Sequence, residues 1–185
     1  MSLVDRLLRS LSPRIAMKRG VRLAEKGLTK RAFPLLVRAA TAGIAEAEFR
    51  VGRCYLEGVG VPPSRSQGAR WLERAANQGY VEAQVLLATL FVHGLASDGT
   101  GLPSSAAGLF AANAAAQPDF AAAEKWGRRS AEGGSADGQA LLGFILTSGP
   151  QNLRNLEEAR RWYEQSANAG SPQGHLGYAL ALASE

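Results

Sequence analysis

The sequence of 185 residues predicts an all-α fold built from a repeated pair of antiparallel helices. Its hydrophobic content is 46%, much of it alanine, whereas valine and isoleucine are sparse and rarely alternate with polar residues. Such a composition favours close-packed helices over a sheet. A nine-residue segment that opens with tryptophan and closes with glycine also recurs three times, from Trp71 to Gly79, Trp126 to Gly134 and Trp162 to Gly170.

The closing glycines set the register of the repeat. Gly43, Gly79, Gly134 and Gly170 are separated by 36, 55 and 36 residues, so one period of 36 covers the chain if the third repeat carries a 19-residue insertion. The predicted organisation begins with an amphipathic basic helix over residues 1–14, followed by a repeat domain over 15–185. Within that domain we expect a degenerate repeat over 15–43, repeats over 44–79, 80–134 and 135–170, the insertion near 95–118, and a terminal helix over 171–185.

Each repeat is predicted to contain a helix A, a loop with glycine, a helix B that carries the tryptophan, and a glycine stop. A small residue precedes each tryptophan by three positions, as Gly68 precedes Trp71, and therefore shares its helical face. A large ring beside small side chains lets two helices approach closely while the ring fills the gap above them. The closing glycines suit the left-handed position that ends a helix.

The segment from 45 to 79, AEAEFRVGRCYLEGVGVPPSRSQGARWLERAANQG, carries the pattern most fully and resembles the Sel1-like repeats, a branch of the tetratricopeptide-like solenoids. The residues that carry this resemblance are Gly52, Tyr55, Gly58, Trp71, Gly79, Trp126, Gly134, Gly143, Trp162 and Gly170. The resemblance implies a right-handed superhelical solenoid of antiparallel helix pairs. It also implies a non-catalytic adaptor that binds a partner protein or peptide in bacterial signalling, secretion, envelope or exopolysaccharide assemblies.

The residue inventory argues against catalysis and metal binding. Cys54 is the one cysteine, which excludes an intrachain disulfide framework and a multi-cysteine zinc site, and its repeat equivalents are apolar. The two histidines, His93 and His175, lie in different repeats without the spacing of a metal or catalytic motif. We therefore expect no enzyme activity, no catalytic residues, no metal and no cofactor.

The resemblance implies that helix A lines a concave groove, where side chains that vary between repeats would determine specificity. One stripe on helix A, spaced four, three and four residues apart, supplies the candidate partner-binding residues Glu46, Arg50, Arg53, Glu57, Leu86, Thr89, His93, Leu141 and Phe144. Arginines of this stripe are suited to carboxylates of a peptide, and its leucines and phenylalanine to an apolar side chain. The alternative is that the apolar members pack between helices.

The first residues of the chain are the least explained by the repeat. Leu3, Val4, Leu7, Leu8 and Leu11 form an apolar stripe opposite Arg6 and Arg9. Residues 1–38 hold ten lysines and arginines against two acidic residues, whereas the rest of the chain is slightly acidic. Three interpretations stay open, namely a cap over the end of the array, docking into another subunit or partner, and attachment to an anionic membrane surface. Nucleic acid is not an expected partner, because the basic residues lack interleaved aromatics or a recognition motif.

Two further segments depart from the repeat. The insertion near 95–118 is either a tolerated loop or a flap that contacts a partner. The final repeat holds helix A alone, so this helix caps the array, the open end mediates self-association, or the sequence stops within a repeat. Charges at Asp5, Arg6 and Arg9 interrupt the first apolar stretch, so we expect no signal peptide and a cytoplasmic protein, with peripheral attachment at the inner membrane as the alternative function of residues 1–14.

Overall fold

The computed structural model describes residues 12–94 and 117–183, and these ranges contain nine α-helices and no strand. The helices are α1 Pro13–Glu25, α2 Thr29–Thr41, α3 Ala45–Glu57, α4 Arg65–Asn77, α5 Val81–His93, α6 Phe120–Glu132, α7 Ala136–Ser148, α8 Leu156–Asn168 and α9 Pro172–Ala183. The predicted all-α class is confirmed. Most of the predicted N-terminal segment and of the insertion lies outside the described residues.

The chain divides into an N-terminal half, residues 1–80, and a C-terminal half, residues 81–185. In the N-terminal half, α1 packs against α2, α2 against α3, and α3 against α4. In the C-terminal half the pairs are α5 with α6 and α7 with α8, and α9 packs against α8. There α7 also contacts α5 and α9, so three successive A helices lie side by side. Within each half, the predicted pairing of a helix A with the following helix B is confirmed.

Helix starts follow from short polar side chains that accept a backbone N–H. Ser64, Asp119, Ser135 and Asn155 cap α4, α6, α7 and α8 in this way, each to the residue three positions on. Ser12 caps α1, which begins at Pro13, two residues before the predicted repeat boundary at 15. A proline is favoured there because the first helical N–H has no intrahelical partner.

Glycine stops end most of the helices as the repeat predicts. Gly43, Gly79, Gly134 and Gly170 have φ angles between 81° and 85°, in the left-handed region that favours glycine. Gly149 differs, because its backbone is extended, with φ −69° and ψ 176°. A Cβ at Gly149 would lie 2.5 Å from the Ile145 carbonyl oxygen, so lack of space, not left-handed backbone, explains this glycine.

Small residues bring α3 and α4 into close contact. A Cβ built on Gly52 would lie 3.1 Å from the Gly68 carbonyl oxygen, and a Cβ built on Gly68 would lie 3.1 Å from the Gly52 carbonyl oxygen. Leu72 packs over this crossing and is fully buried. The predicted role of the small residue before the tryptophan, close approach of the two helices, is therefore visible in this pair.

The three tryptophans are buried to different extents. Only Trp126 is buried, with 3% of its surface exposed, while Trp71 and Trp162 are half-buried. The residue that follows the tryptophan lies deeper, as Leu72 and Tyr163 show with 0% and 8% exposure. After Trp126 this position is Gly127, which has no side chain to bury. In that repeat the tryptophan ring itself is the buried group.

Candidate binding cleft

A cleft of about 600 Å³ opens along the three A helices of the C-terminal half. Its walls come from equivalent positions of successive repeats, three or four residues apart on each helix, which places them on one helical face. The lining residues are Val85 and Thr89 of α5, Asp137, Ala140, Leu141 and Phe144 of α7, Tyr163 of α8, and Gln173, Leu176, Gly177 and Leu180 of α9. The lining is mostly apolar, and Asp137 is its one charged member.

Tyr163 reaches the cleft from helix B because glycines leave room for its ring. A Cβ on Gly143 would lie 2.8 Å from Tyr163 Cε1, and a Cβ on Gly177 would overlap the same ring. The Tyr163 hydroxyl lies 3.3 Å from Thr147 Oγ1, and Thr147 Oγ1 donates to the Gly143 carbonyl oxygen at 2.8 Å. Burial raises the pKa of the Tyr163 hydroxyl, so the cleft has a neutral, hydrogen-bonded phenol in its lining.

Large apolar side chains on the walls are exposed to solvent. Phe144 is 42% exposed, and Leu176 and Leu180 are each 63% exposed. Fully burying a side chain of this size stabilises by about 1.5–3 kcal/mol, so covering these three offers a partner several kcal/mol of favourable burial. A concave apolar surface of this kind is typical of sites that bind an apolar segment of another molecule.

The structure divides the nine predicted groove residues into three groups. Of the nine, Thr89, Leu141 and Phe144 line the cleft. Leu86 and His93 lie on α5 but do not line it, and His93 Nδ1 lies 2.8 Å from the Thr89 carbonyl oxygen of its own helix. That contact satisfies one ring nitrogen of His93 at the end of its helix.

The four remaining candidates, all on α3, belong to the N-terminal half and pair with one another. Arg50 Nε donates to Glu46 Oε1 at 2.9 Å, and Arg53 Nη2 donates to Glu57 Oε1 at 2.6 Å. Both pairs are four residues apart and half-exposed, so each is worth about 0.3–0.5 kcal/mol. A partner carboxylate would therefore compete with Glu46 and Glu57 for these arginines.

Sequence reasoning missed the members of the cleft that lie one position away from the predicted stripe. Val85, Ala140 and Leu176 occupy equivalent places on the three A helices, and the face turned to the cleft includes them. The predicted stripe also leaves out Tyr163, because the resemblance implies that helix A lines the groove and Tyr163 lies on a helix B. The available signal was the pair of glycines, Gly143 and Gly177, which leave space beside an aromatic residue.

Two ion-pair clusters stabilise the helices away from the cleft. Glu48 is 1% exposed and accepts hydrogen bonds from Arg74 Nε at 2.8 Å and Gln78 Nε2 at 2.5 Å. Arg128 connects α6 to α8 through Glu158, whose Oε1 lies 2.6 Å from Arg128 Nη1. This hydrogen bond holds the pKa of Glu158 below its ordinary value, and hydrogen bonding to Glu158 raises the pKa of Arg128.

Side chains suited to metal binding or catalysis are few and scattered in the part of the chain that the structure describes. No group of three or more histidine, cysteine, aspartate or glutamate side chains lies close enough there to hold a metal ion. Cys54 is half-buried, and burial is the first cause that raises the pKa of its thiol, followed by the nearby Glu57 carboxylate. Among residues 12–94 and 117–183, no helix has the length and hydropathy to cross a bilayer.

Comparison with known proteins identifies the repeat. A family model described as a Sel1 repeat matches residues 45–80, 114–135 and 136–171, just over half of the chain. The middle match begins near the end of the insertion, so it covers helix B of that repeat and not α5. All three matches fall within the predicted repeat domain.

The relatives agree with this match. Chitin synthase regulatory factor 3 of Schizosaccharomyces pombe is 28% identical over 145 residues, which are 78% of this chain and 14% of the relative. The crystal structure of a Sel1 repeat protein from Oxalobacter formigenes aligns with a TM-score of 0.72 and 24% identity, covering 91% of this chain and 63% of that one. The crystal structure of c5321, a protective antigen of uropathogenic Escherichia coli strains that displays an SLR fold, aligns with a TM-score of 0.74 and 23% identity, covering 90% and 33%. The chain thus spans less than two thirds of each relative.

Proposed function

Because the chain belongs to the Sel1 repeat family, we propose that it is a binding scaffold that holds an apolar segment of a partner protein in the cleft of its C-terminal half. Sel1 repeat proteins act as protein-interaction scaffolds. The single observation that supports this site is the exposure of Phe144, Leu176 and Leu180 around one concave surface.

The shape of the lining favours a segment with apolar side chains at helical spacing. A helix that lies in a groove contacts it through residues at i, i+3, i+4 and i+7. The cleft offers Val85 from α5 and a row of apolar residues from each of α7 and α9, which together complement such a stripe. Thr89, Asp137, Gln173 and the Tyr163 hydroxyl supply the few polar groups that would orient it.

The proposal is tested by selecting peptides from a displayed random library on the full chain and measuring their affinity by fluorescence polarisation. Leu180→Glu places a charge on the cleft wall, and we expect it to weaken binding by about tenfold or more, equivalent to 1.4 kcal/mol. Leu156→Glu is the matched control, because Leu156 is 60% exposed and does not line the cleft. Equal affinity of the two variants would contradict the proposed site.

A finer proposal concerns the assembly in which the scaffold works. We propose bacterial signalling, secretion, or an envelope or exopolysaccharide assembly, with a non-catalytic role for this chain. The name of the Schizosaccharomyces pombe relative, a regulatory factor of chitin synthase, supports a role beside an enzyme that makes a polysaccharide. Co-purification of a partner with the wild-type chain and with Leu156→Glu, but not with Leu180→Glu, is the expected result. The partner's identity then decides among the three assemblies.

The alternative function, attachment to a membrane or a complex through the basic amphipathic N-terminal helix, depends on residues 1–14. Residues 1–11 lie outside the described residues, so this alternative stays a prediction from the sequence. The two functions differ in one measurable respect. Vesicle binding through the first residues would be insensitive to Leu180→Glu.

A further inference from the structure

We infer that the solvent-exposed face of α1, together with the turn that joins α1 to α2, binds the surface of an anionic lipid bilayer. This site lies within the N-terminal half and does not depend on the cleft. Residues 12–31 hold seven basic residues against a single acidic one, Glu25. The seven, which we call the basic face, are all exposed and are Arg14, Lys18, Arg19, Arg22, Lys26, Lys30 and Arg31.

Carboxylates of the chain leave the charge of the basic face uncompensated. None of its seven residues forms an ion pair with another described residue. Four arginines elsewhere in the described chain do pair with glutamates, at distances between 2.6 and 2.9 Å, and they are Arg50, Arg53, Arg74 and Arg128. The positive charge of the basic face is therefore available to an external anion.

Packing against α2 uses the opposite face of α1. Ala16 is fully buried, and a Cβ built on Gly20 would lie 3.3 Å from the Leu36 backbone nitrogen, so the two helices are in close contact there. Lys18 and Arg22 lie one turn apart on the side that faces solvent. The apolar face of α1 is thus already occupied, and α1 would contact a bilayer through its charged face as a folded surface. This differs from an amphipathic helix, which inserts its apolar face.

Two exposed aliphatic side chains near the basic residues favour lipid as the anion. Ile15 is 48% exposed and shares a helical face with Lys18 and Arg22, three and seven residues on. Leu28 is 41% exposed in the turn that joins α1 to α2. Aliphatic groups gain by entering the acyl boundary while basic groups contact the headgroups. Residues 12–31 contain no aromatic, histidine, asparagine or glutamine, the side chains that stack on or read nucleic-acid bases.

The experiment measures co-sedimentation of the full chain with vesicles of equal parts phosphatidylglycerol and phosphatidylcholine, and with vesicles of phosphatidylcholine alone. We expect the wild type to bind only the anionic vesicles, and to bind them less at high salt, which screens the attraction. Lys18→Glu combined with Arg22→Glu should weaken binding by about tenfold or more, equivalent to 1.4 kcal/mol. The matched control combines Arg70→Glu with Arg161→Glu, which changes the net charge equally at exposed positions of α4 and α8.

A third variant, Ile15→Ser, separates lipid from other anions because it keeps every charge. We expect it to weaken vesicle binding by about threefold and to leave binding to heparin, a polyanion without acyl chains, unchanged. Vesicle binding that is insensitive to Ile15→Ser would show that charge alone is recognised, which overturns the assignment to lipid. Binding to heparin or polyglutamate without binding to anionic vesicles overturns it as well.

Two more results would overturn the inference. One is a wild type that does not bind anionic vesicles. The other is equal vesicle binding by the Lys18/Arg22 variant and its control, which would assign the membrane contact to another part of the chain. Circular dichroism checks that each variant is folded, and Lys18→Gln with Arg22→Gln repeats the test with a milder change. Library peptides should bind all these variants with wild-type affinity, so the inference and the proposed function can fail separately.

Discussion

The close approach of α3 and α4 at Gly52 predicts that Gly52→Ala is destabilising. The new Cβ would lie 2.8 Å from Leu72 Cγ and 3.1 Å from the Gly68 carbonyl oxygen. Leu72 is fully buried, and the Gly68 carbonyl is part of α4, so neither group can turn away as an exposed side chain would. The methyl group can be accommodated only if α3 and α4 move apart by several tenths of an ångström.

The magnitude follows from two opposing effects. Alanine in a helix interior is more favourable than glycine by about 1 kcal/mol. Overpacking a tight core contact costs about 1–3 kcal/mol, and a backbone contact belongs to the upper part of that range. We therefore expect Gly52→Ala to lower the free energy of unfolding by about 1–2 kcal/mol. For a unit of this size, each kcal/mol corresponds to a fall in Tm of about 4–8 °C.

The matched control is Gly127→Ala in α6. The nearest atom to its added Cβ is Ile145 Cδ1 at 3.2 Å, the end of a flexible side chain, and the next lies at 3.9 Å. Helix propensity should dominate there, so we expect unchanged stability or a gain of up to about 1 kcal/mol. Urea and thermal unfolding followed by circular dichroism measure both variants. If Gly52→Ala is as stable as the wild type, the steric reasoning about the helix crossing is refuted.

Three further predictions concern charged and reactive groups. Glu48→Ala should lower the free energy of unfolding by about 2–3 kcal/mol in urea titrations, because it removes two hydrogen bonds to a buried carboxylate. Arg74 is half-exposed and regains water in the variant, which limits the loss. A loss below about 0.5 kcal/mol would contradict this prediction. Because the hydrogen bond from Arg128 lowers the pKa of Glu158, the pair contributes stability that is fully present above the ordinary pKa of 4.5 and is lost as pH falls through the lowered value. Glu158→Gln should therefore lower Tm at neutral pH, corresponding to a loss of about 0.5–1 kcal/mol in the free energy of unfolding, and leave Tm nearly unchanged in acid. A Tm difference between wild type and variant that is the same at both pH values would count against the pair. Burial raises the pKa of the Cys54 thiol, so iodoacetamide at mildly alkaline pH should modify it more slowly in the folded chain than in urea, and equal rates would argue against that burial.

The helices and their ends could be predicted from the sequence because they depend on local chemistry. The closing glycines, such as Gly79, have the positive φ that the repeat pattern predicts. The cap at Ser135 follows from its residue type, because serine is favoured at a helix start. The period of the repeat also predicts which helices pair. These features need only the residue types and their spacing.

The cleft could be predicted only in part, because it depends on how helices are rotated about their axes. The predicted stripe, spaced four, three and four residues apart, includes Phe144. It leaves out Leu176, which lies on the same helical face of α9 but one position away from the stripe. The ion pairs of Arg50 and Arg53, in contrast, follow from carboxylates four residues away on the same helix, a signal that the sequence contains. The sequence predicts which residues share one face of a helix, but it does not predict how deep the groove between two helices is.

The central claim is that partners bind along α5, α7 and α9, and methyl spectra of leucine-labelled protein test it most directly. A library-selected peptide titrated into the full chain should shift the signals of Leu141, Leu176 and Leu180, which line the cleft. The signals of Leu72, which is fully buried in the N-terminal half, and Leu156, which is exposed outside the cleft, should stay in place. Shifts at Leu156 or in the N-terminal half, with the three cleft leucines unchanged, would contradict the account.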